Sequence, residues 1–195
     1  MSARQFVSLL SLVCLAACNS LPETPGKYVE SAPNSGSALE QHSPIEVAIA
    51  PITDSSGNAA LPRKELRSAF QGALVRRRYT PIALDLVDSK VVNAAYKPGT
   101  LEEQAVLLLD VQRWDTRLWD TRSVIEVTIK ARMVASDNPS GELWSGVYEK
   151  RCDFSAVQEH YATEGALSHY ACEQIANEVL EAMPARQPVP GHAKP

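Results

Sequence analysis

The residues of this chain that could do chemistry fall in three places. His160, Glu164, His169 and Cys172 lie within one segment of helical pattern. His160 and Glu164 are four apart and His169 and Cys172 three apart, so each pair shares a helix face. A transition metal would need a closed set of such ligands with matched softness. Their spacing follows no established finger, so they read as a solvated helix face; no metal ligands and no cofactor are expected. Trp114-Asp115-Thr116-Arg117 and Trp119-Asp120-Thr121-Arg122 repeat with an offset of five, around a turn between two strands. Trp and Arg are enriched in interface hot spots, which makes Trp114, Arg117 and Trp119 candidates for contact with a partner. On a regular strand an odd offset sends two side chains to opposite faces. One ring would then pack in the core and the other lie on the open face. Arg76-Arg77-Arg78 could meet phosphate groups, or could complement the C-terminal dipole of a helix. No Gly-rich phosphate loop, no Ser/His/Asp order and no paired carboxylates at a strand end emerge. No catalytic residue is assigned, and an enzyme is not expected.

Composition bounds what can hold these residues. The chain has 195 residues, 45% hydrophobic and 22% charged, enough for one core and hardly for two. That apolar content excludes disorder throughout. A formal charge of −4 is a poor match for a protein that binds by neutralising nucleic-acid phosphates, so no nucleic-acid partner is expected.

The first residues carry an address. Arg4 precedes a short apolar run, Phe6 to Ala17, and small residues follow. This is the layout of a secretory signal, too short for a span of roughly 20 residues. It ends in Leu15-Ala16-Ala17-Cys18, which resembles the lipobox of bacterial lipoproteins. That resemblance implies cleavage after residue 17 and acylation, by palmitate or a similar chain, at Cys18. Asn19 follows where such lipoproteins carry Asp when retained in the inner membrane, which points to the outer membrane, periplasmic face. Residues 18–44, with Pro22, Pro25, Pro33 and Pro44, read as a flexible tether spanning roughly 25–30 Å. Residues 45–183 form the folded domain, and 184–195 a disordered tail. Cys152 and Cys172 then remain in an oxidising compartment, where a disulfide is expected of such a pair. Two separate buried thiols are the alternative.

The elements follow from hydrophobic period. Ile45, Val47 and Ile49 alternate as a strand that Pro51 ends, and residues 53–58 read as a loop. Leu66, Ala69, Phe70, Ala73 and Leu74 form one helical stripe after Pro62. A short strand over 79–84 and a weaker helix over 86–95 follow. Residues 105–111 are almost continuously apolar, as in a strand covered on both faces. Ile125, Val127, Ile129, Ala131 and Met133 alternate with Glu126, Thr128, Lys130 and Arg132. That strand pairs with one over 143–152 as a hairpin across the turn 137–141. A helix over 156–183 closes the chain, with Gly165 as a point of division. The order β-α-β-α-β-β-β-α implies an α/β (α+β) fold: a single mixed sheet of about five strands with helices packed on it.

Four stretches carry a family resemblance: residues 47–53, 74–81, 105–109, and Gly141-Glu142-Leu143-Trp144-Ser145-Gly146. Together with the element order they resemble bacterial lipoproteins of unassigned function with a TolB-N-terminal-like domain. Similar domains occur in neisserial-type surface lipoproteins, the penicillin-binding-protein activator LpoB and the curli-secretion lipoprotein CsgG. The chain departs from them in its tandem Trp motif and in its short connection over 98–104, and lacks a long amphipathic insertion. The resemblance implies an envelope lipoprotein that acts without catalysis, as a binding or accessory component of a cell-envelope or secretion assembly. Its partners would be the membrane, through the lipid, and an envelope protein or further copies of itself. An activator of a peptidoglycan synthase is the alternative, and an unrecognised hydrolase a third.

Overall fold

Alternating apolar residues in the middle of the chain build the sheet on which everything else rests. The structure is a computed structural model and describes residues 28–29, 35–93 and 95–187. The signal peptide, Cys18, Asn19 and residues 188–195 lie outside the described residues. Seven strands form one sheet: β1 (Tyr28–Val29), β2 (Glu46–Ile49), β3 (Thr53–Asp54), β4 (Thr80–Pro81), β5 (Ala105–Asp115), β6 (Val124–Ala135) and β7 (Glu142–Asp153). Their order is β1-β7-β6-β5-β2-β4, with β3 beside β5. β2 runs parallel to β4 and β5, and β3 parallel to β5, whereas β5–β6, β6–β7 and β1–β7 are antiparallel. The mixed sheet expected from the element order is the one observed.

Helices α1 (Ser35–His42), α2 (Arg63–Arg76) and α5 (Glu164–Val179) lie on one face. The inward residues of β6, Ile125 to Ala135, meet Trp144, Tyr148 and Cys152 of β7, with Met133 opposite Trp144. Phe70, Leu66 and Leu74 of α2 and Ile175 of α5 complete this core. Each such side chain contributes about 1.5–3 kcal/mol on burial. α3 (Leu84–Asp88) and the connection after it cover part of the other face, with Val87 and Tyr96 against Ala48, Val106 and Val134. There the carboxylate of Glu103, itself buried, accepts from Leu101 N at 2.9 Å and Gly99 N at 2.5 Å, which shapes the short connection into β5. Further along this face Lys130 and Arg132 are exposed.

α2 and α5 run in the same direction. Near their C-terminal ends Arg76 Nε donates to Asn177 Oδ1 at 2.7 Å, and near their N-terminal ends Pro62 and Glu164 border one cleft. α5 starts at Thr163, whose side chain accepts from Ala166 N at 3.2 Å as an N-cap. α2 stops in a Schellman turn: Arg78 N donates to Val75 O at 2.9 Å and Tyr79 N to Leu74 O at 3.1 Å, with Arg78 left-handed at φ 67.

Several expectations need correction. The tether does not reach Pro44: β1 pairs with β7, and α1 buries Leu39 in the core. Nor does the tail begin at Pro184, because Tyr79 Oη donates to Pro184 O at 2.8 Å and Arg186 N to Arg77 O at 2.9 Å. Within the loop expected over 53–58, Thr53 and Asp54 form β3, taken up by the long strand β5. The second helix ends at Asp88, and Asn93 at φ 52 turns the chain beyond it. The last helix is divided before Gly165, not at it: a 3-10 turn, Gln158–His160, precedes the cap at Thr163. Cys152 and Cys172 are free, buried thiols and form no disulfide. Cys152 belongs to β7, where its Sγ lies 3.4 Å from Tyr148 Oη. Cys172 sits in the layer of α5 that meets α2, and burial drives its thiol upward.

Candidate aromatic cleft

The β5–β6 connection decides where the two Trp rings go. β5 continues to Asp115, and Trp114 is buried opposite Val127. Asn58 Nδ2 donates to Trp114 O at 2.6 Å, fastening the loop before α2 to the end of β5. The chain then forms α4 (Trp119–Arg122) instead of a plain turn. Its C-cap Ser123 is buried and left-handed at φ 51, with Oγ donating to Gln158 Oε1 at 2.8 Å. This turn swings Trp119 back toward the core side, where it packs edge-on against Phe154 at 6.1 Å between ring centroids. The expected placement of the rings on opposite faces is therefore wrong: the helical turn cancels the strand parity on which it rested. Phe154 in turn meets Tyr170, and Tyr170 meets Tyr161 at 5.0 Å, so the aromatic contacts run from α4 to α5.

Two adjoining clefts open on either side of Trp119. The larger, about 480 Å³, is walled by Ala60, Pro62, Trp114, Trp119, Ile125 and Ala171, with Asp120, Glu164 and Ser168 among its polar groups. The other, about 320 Å³, shares Trp119, Asp120 and Glu164 and adds Ser123, Gln158 and Tyr161. Gly165 lines the larger cleft, and a Cβ built on it meets nothing within 4 Å. Neither cleft is lined by Lys or Arg. Asp120 and Glu164 form no ion pair among the described residues. Such a surface offers an apolar recess with an acidic rim, suited to an apolar side chain carried beside a cation.

Arg117 is not part of this cleft. It is held by Asp115 through Nη2 at 2.7 Å and Nε at 3.0 Å, and lines a separate hollow with Leu118, Val124 and Glu126. Hydrogen bonds from Arg117 keep the Asp115 carboxyl well below the usual carboxylate range. The helix-face residues also separate. Cys172 is buried, whereas His169 is exposed with Nε2 3.7 Å from Glu173, and His160 belongs to the 3-10 turn. Glu164 alone of the four lines the clefts. In the Arg triplet, the Arg77 side chain donates to Met183 O and, at 2.7 Å, to Glu181 O in the segment after α5, while its backbone N–H caps α2. Where β7 meets α5, Lys150 Nζ donates to Glu178 Oε2 at 2.8 Å, and Tyr148 Oη donates to the same oxygen. Burial raises the Tyr148 hydroxyl, so the phenol stays protonated there.

Sequence reasoning missed Asp120, Gly165 and the wall formed by Ala60, Pro62 and Ile125. The Thr163-Glu164 pair marks a helix start and was the one signal that could have placed Glu164 at a helix end near the Trp motif.

No family model matches the chain, and no curated protein does. Among solved structures the chain is similar to a PelC dodecamer from Paraburkholderia phytofirmans, with 16% identity and TM-score 0.49 over 74% of this chain and 91% of that one. It is also similar to lipoprotein GNA1162 from Neisseria meningitidis, with 22% identity and TM-score 0.48 over 71% of this chain and 99% of that one. A third is the hypothetical protein CT253 from Chlamydia trachomatis, with 12% identity and TM-score 0.43 over 71% and 94% of the two chains.

Proposed function

We propose that this protein is an envelope lipoprotein, held at the periplasmic face of the outer membrane by acylation of Cys18, whose domain works without catalysis by binding a protein partner at the Trp119 cleft. The observation that carries the binding reading is the half-buried Trp119 ring standing between two open, adjoining clefts. An aromatic anchor beside an unfilled apolar recess is the usual make-up of an interface hot spot. The anchor reading is supported by the apolar run and small residues that end at Cys18. Among the described residues no helix is long and apolar enough to cross a membrane, so the proposed attachment rests on the lipid. Several acyl chains on one residue hold a protein firmly where one chain does not.

Two measurements test this. Labelled palmitate enters the wild-type chain, and Cys18→Ser removes both the label and sedimentation with vesicles. Crosslinking in intact cells yields a discrete protein adduct that Trp119→Ala removes and Arg132→Ala, on the open sheet face, keeps. Unlabelled wild-type protein, or an adduct indifferent to Trp119, overturns the corresponding half.

A further inference from the structure

We infer that the occupant of the larger cleft is a second copy of this chain, entering with Val75 and the Arg76 and Arg78 that follow it; this rests on the binding reading above and names the partner. The cleft asks for a small apolar anchor next to positive charge, because its walls are apolar and its rim holds Asp120 and Glu164 without a cation. Glu164 also complements the positive N-terminal end of α5, and Asp120, exposed in the first turn of the short α4, forms no ion pair among the described residues. The large apolar side chains exposed among the described residues are Ile45, Val75, Leu86 and Val92. Val75, 57% exposed, alone among them is followed within three residues by two exposed arginines, Arg76 and Arg78. Arg76 uses only its Nε on Asn177, and a guanidinium has further donors to offer a carboxylate or an indole face. Arg78 is held outward by the left-handed turn that ends α2.

The direction of the helices sets the geometry of assembly. The cleft lies at the N-terminal ends of α2 and α5, and Val75 lies at the C-terminal end of α2. Fourteen residues of helix put the two surfaces about 20 Å apart, so one chain cannot satisfy itself. Different patches meeting head to tail make a heterologous contact, which closes into a ring or continues as a chain of copies. Anchoring to one membrane raises the effective concentration at which such a contact works.

The test is sedimentation velocity on the full acylated chain in mild detergent. Wild-type protein self-associates in 50 mM salt, with affinity at least tenfold weaker in 500 mM salt. Val75→Glu and Gly165→Trp are each monomeric, and a one-to-one mixture of the two forms dimers and nothing larger, because one variant keeps the cleft and the other keeps the anchor. Should Gly165→Trp fail to melt like wild type, Asp120→Arg takes its place, and Arg76→Glu with Arg78→Glu in the same chain restores association. A monomeric wild type, association that both variants retain, or a mixture that stays monomeric overturns the inference. If self-association is absent while Gly165→Trp still removes an adduct to another protein in cells, this inference falls and the binding reading stands; if that adduct is absent too, both fall.

Discussion

Burial of Cys172 has a consequence in alkali. The residue is 1% exposed, and burial pushes its thiol up to about 12. In the unfolded chain a thiol ionises near pH 8.5. Between those values the unfolded state has lost a proton that the native state keeps, so the stabilisation is whole below pH 8.5 and drains as pH rises toward 12. Tyr79, raised to about 12 mainly by burial, adds to the upper part of the same window. The melting temperature is therefore expected to fall from about pH 8.5 upward, and Cys172→Ala to flatten that fall; an unchanged slope contradicts the assignment. Two buried thiols stood in the sequence as the alternative to a disulfide, although Cys172 shares its segment with residues that read as a solvated helix face. Which alternative holds was not legible, because it depends on how β7 and α5 face each other across the core. Trp119 shows the same limit: its residue type marked it as a contact, but its direction is set by the left-handed backbone of Ser123, just past the motif, and by Phe154, far from it in sequence.

Elements with strong period were read correctly and those decided by local turns were not. β6 and β7 pair as the alternation of Val124–Ala135 and Glu142–Asp153 required. α2 carries the stripe of Leu66, Phe70 and Leu74. α4 is four residues long and has no period to find, while β3 exists only because β5 offers it an edge. α1 was hidden by the Pro- and Ser-rich sequence around it, although Leu39 is fully packed. The end of α2 offers an element-scale test. Arg78 takes a left-handed conformation that costs a side-chain-bearing residue about 1–2 kcal/mol, and glycine there would return part of this to its greater unfolded-state entropy. Arg78→Gly is expected to stabilise the domain by about 0.5–1 kcal/mol in urea unfolding. Destabilisation would show that the Arg78 side chain, not the Schellman backbone, holds this helix end.

At the scale of the molecule, one sheet face is covered by α1, α2 and α5 and the other only in part, by α3 and the connection after it. The sheet holds β5 and β6 fixed, and their connection and the start of α5 are placed together at one end, where Trp119 stands. The fold class was legible because alternating and helical periods are local properties of sequence. The cleft was not, because its walls come from Ala60, Trp114, Ile125 and Gly165, four segments that only tertiary packing joins. The reading of this protein as an anchored binding module can be put to one direct measurement. A photo-activated crosslinking amino acid at position 165 stands among the residues that line the cleft, where an added Cβ meets nothing within 4 Å; the same group at position 132 stands on the exposed sheet face. Irradiation of living cells is expected to give a discrete protein adduct from position 165 and none from position 132. Equal adducts from both positions, or none from position 165, would contradict the account.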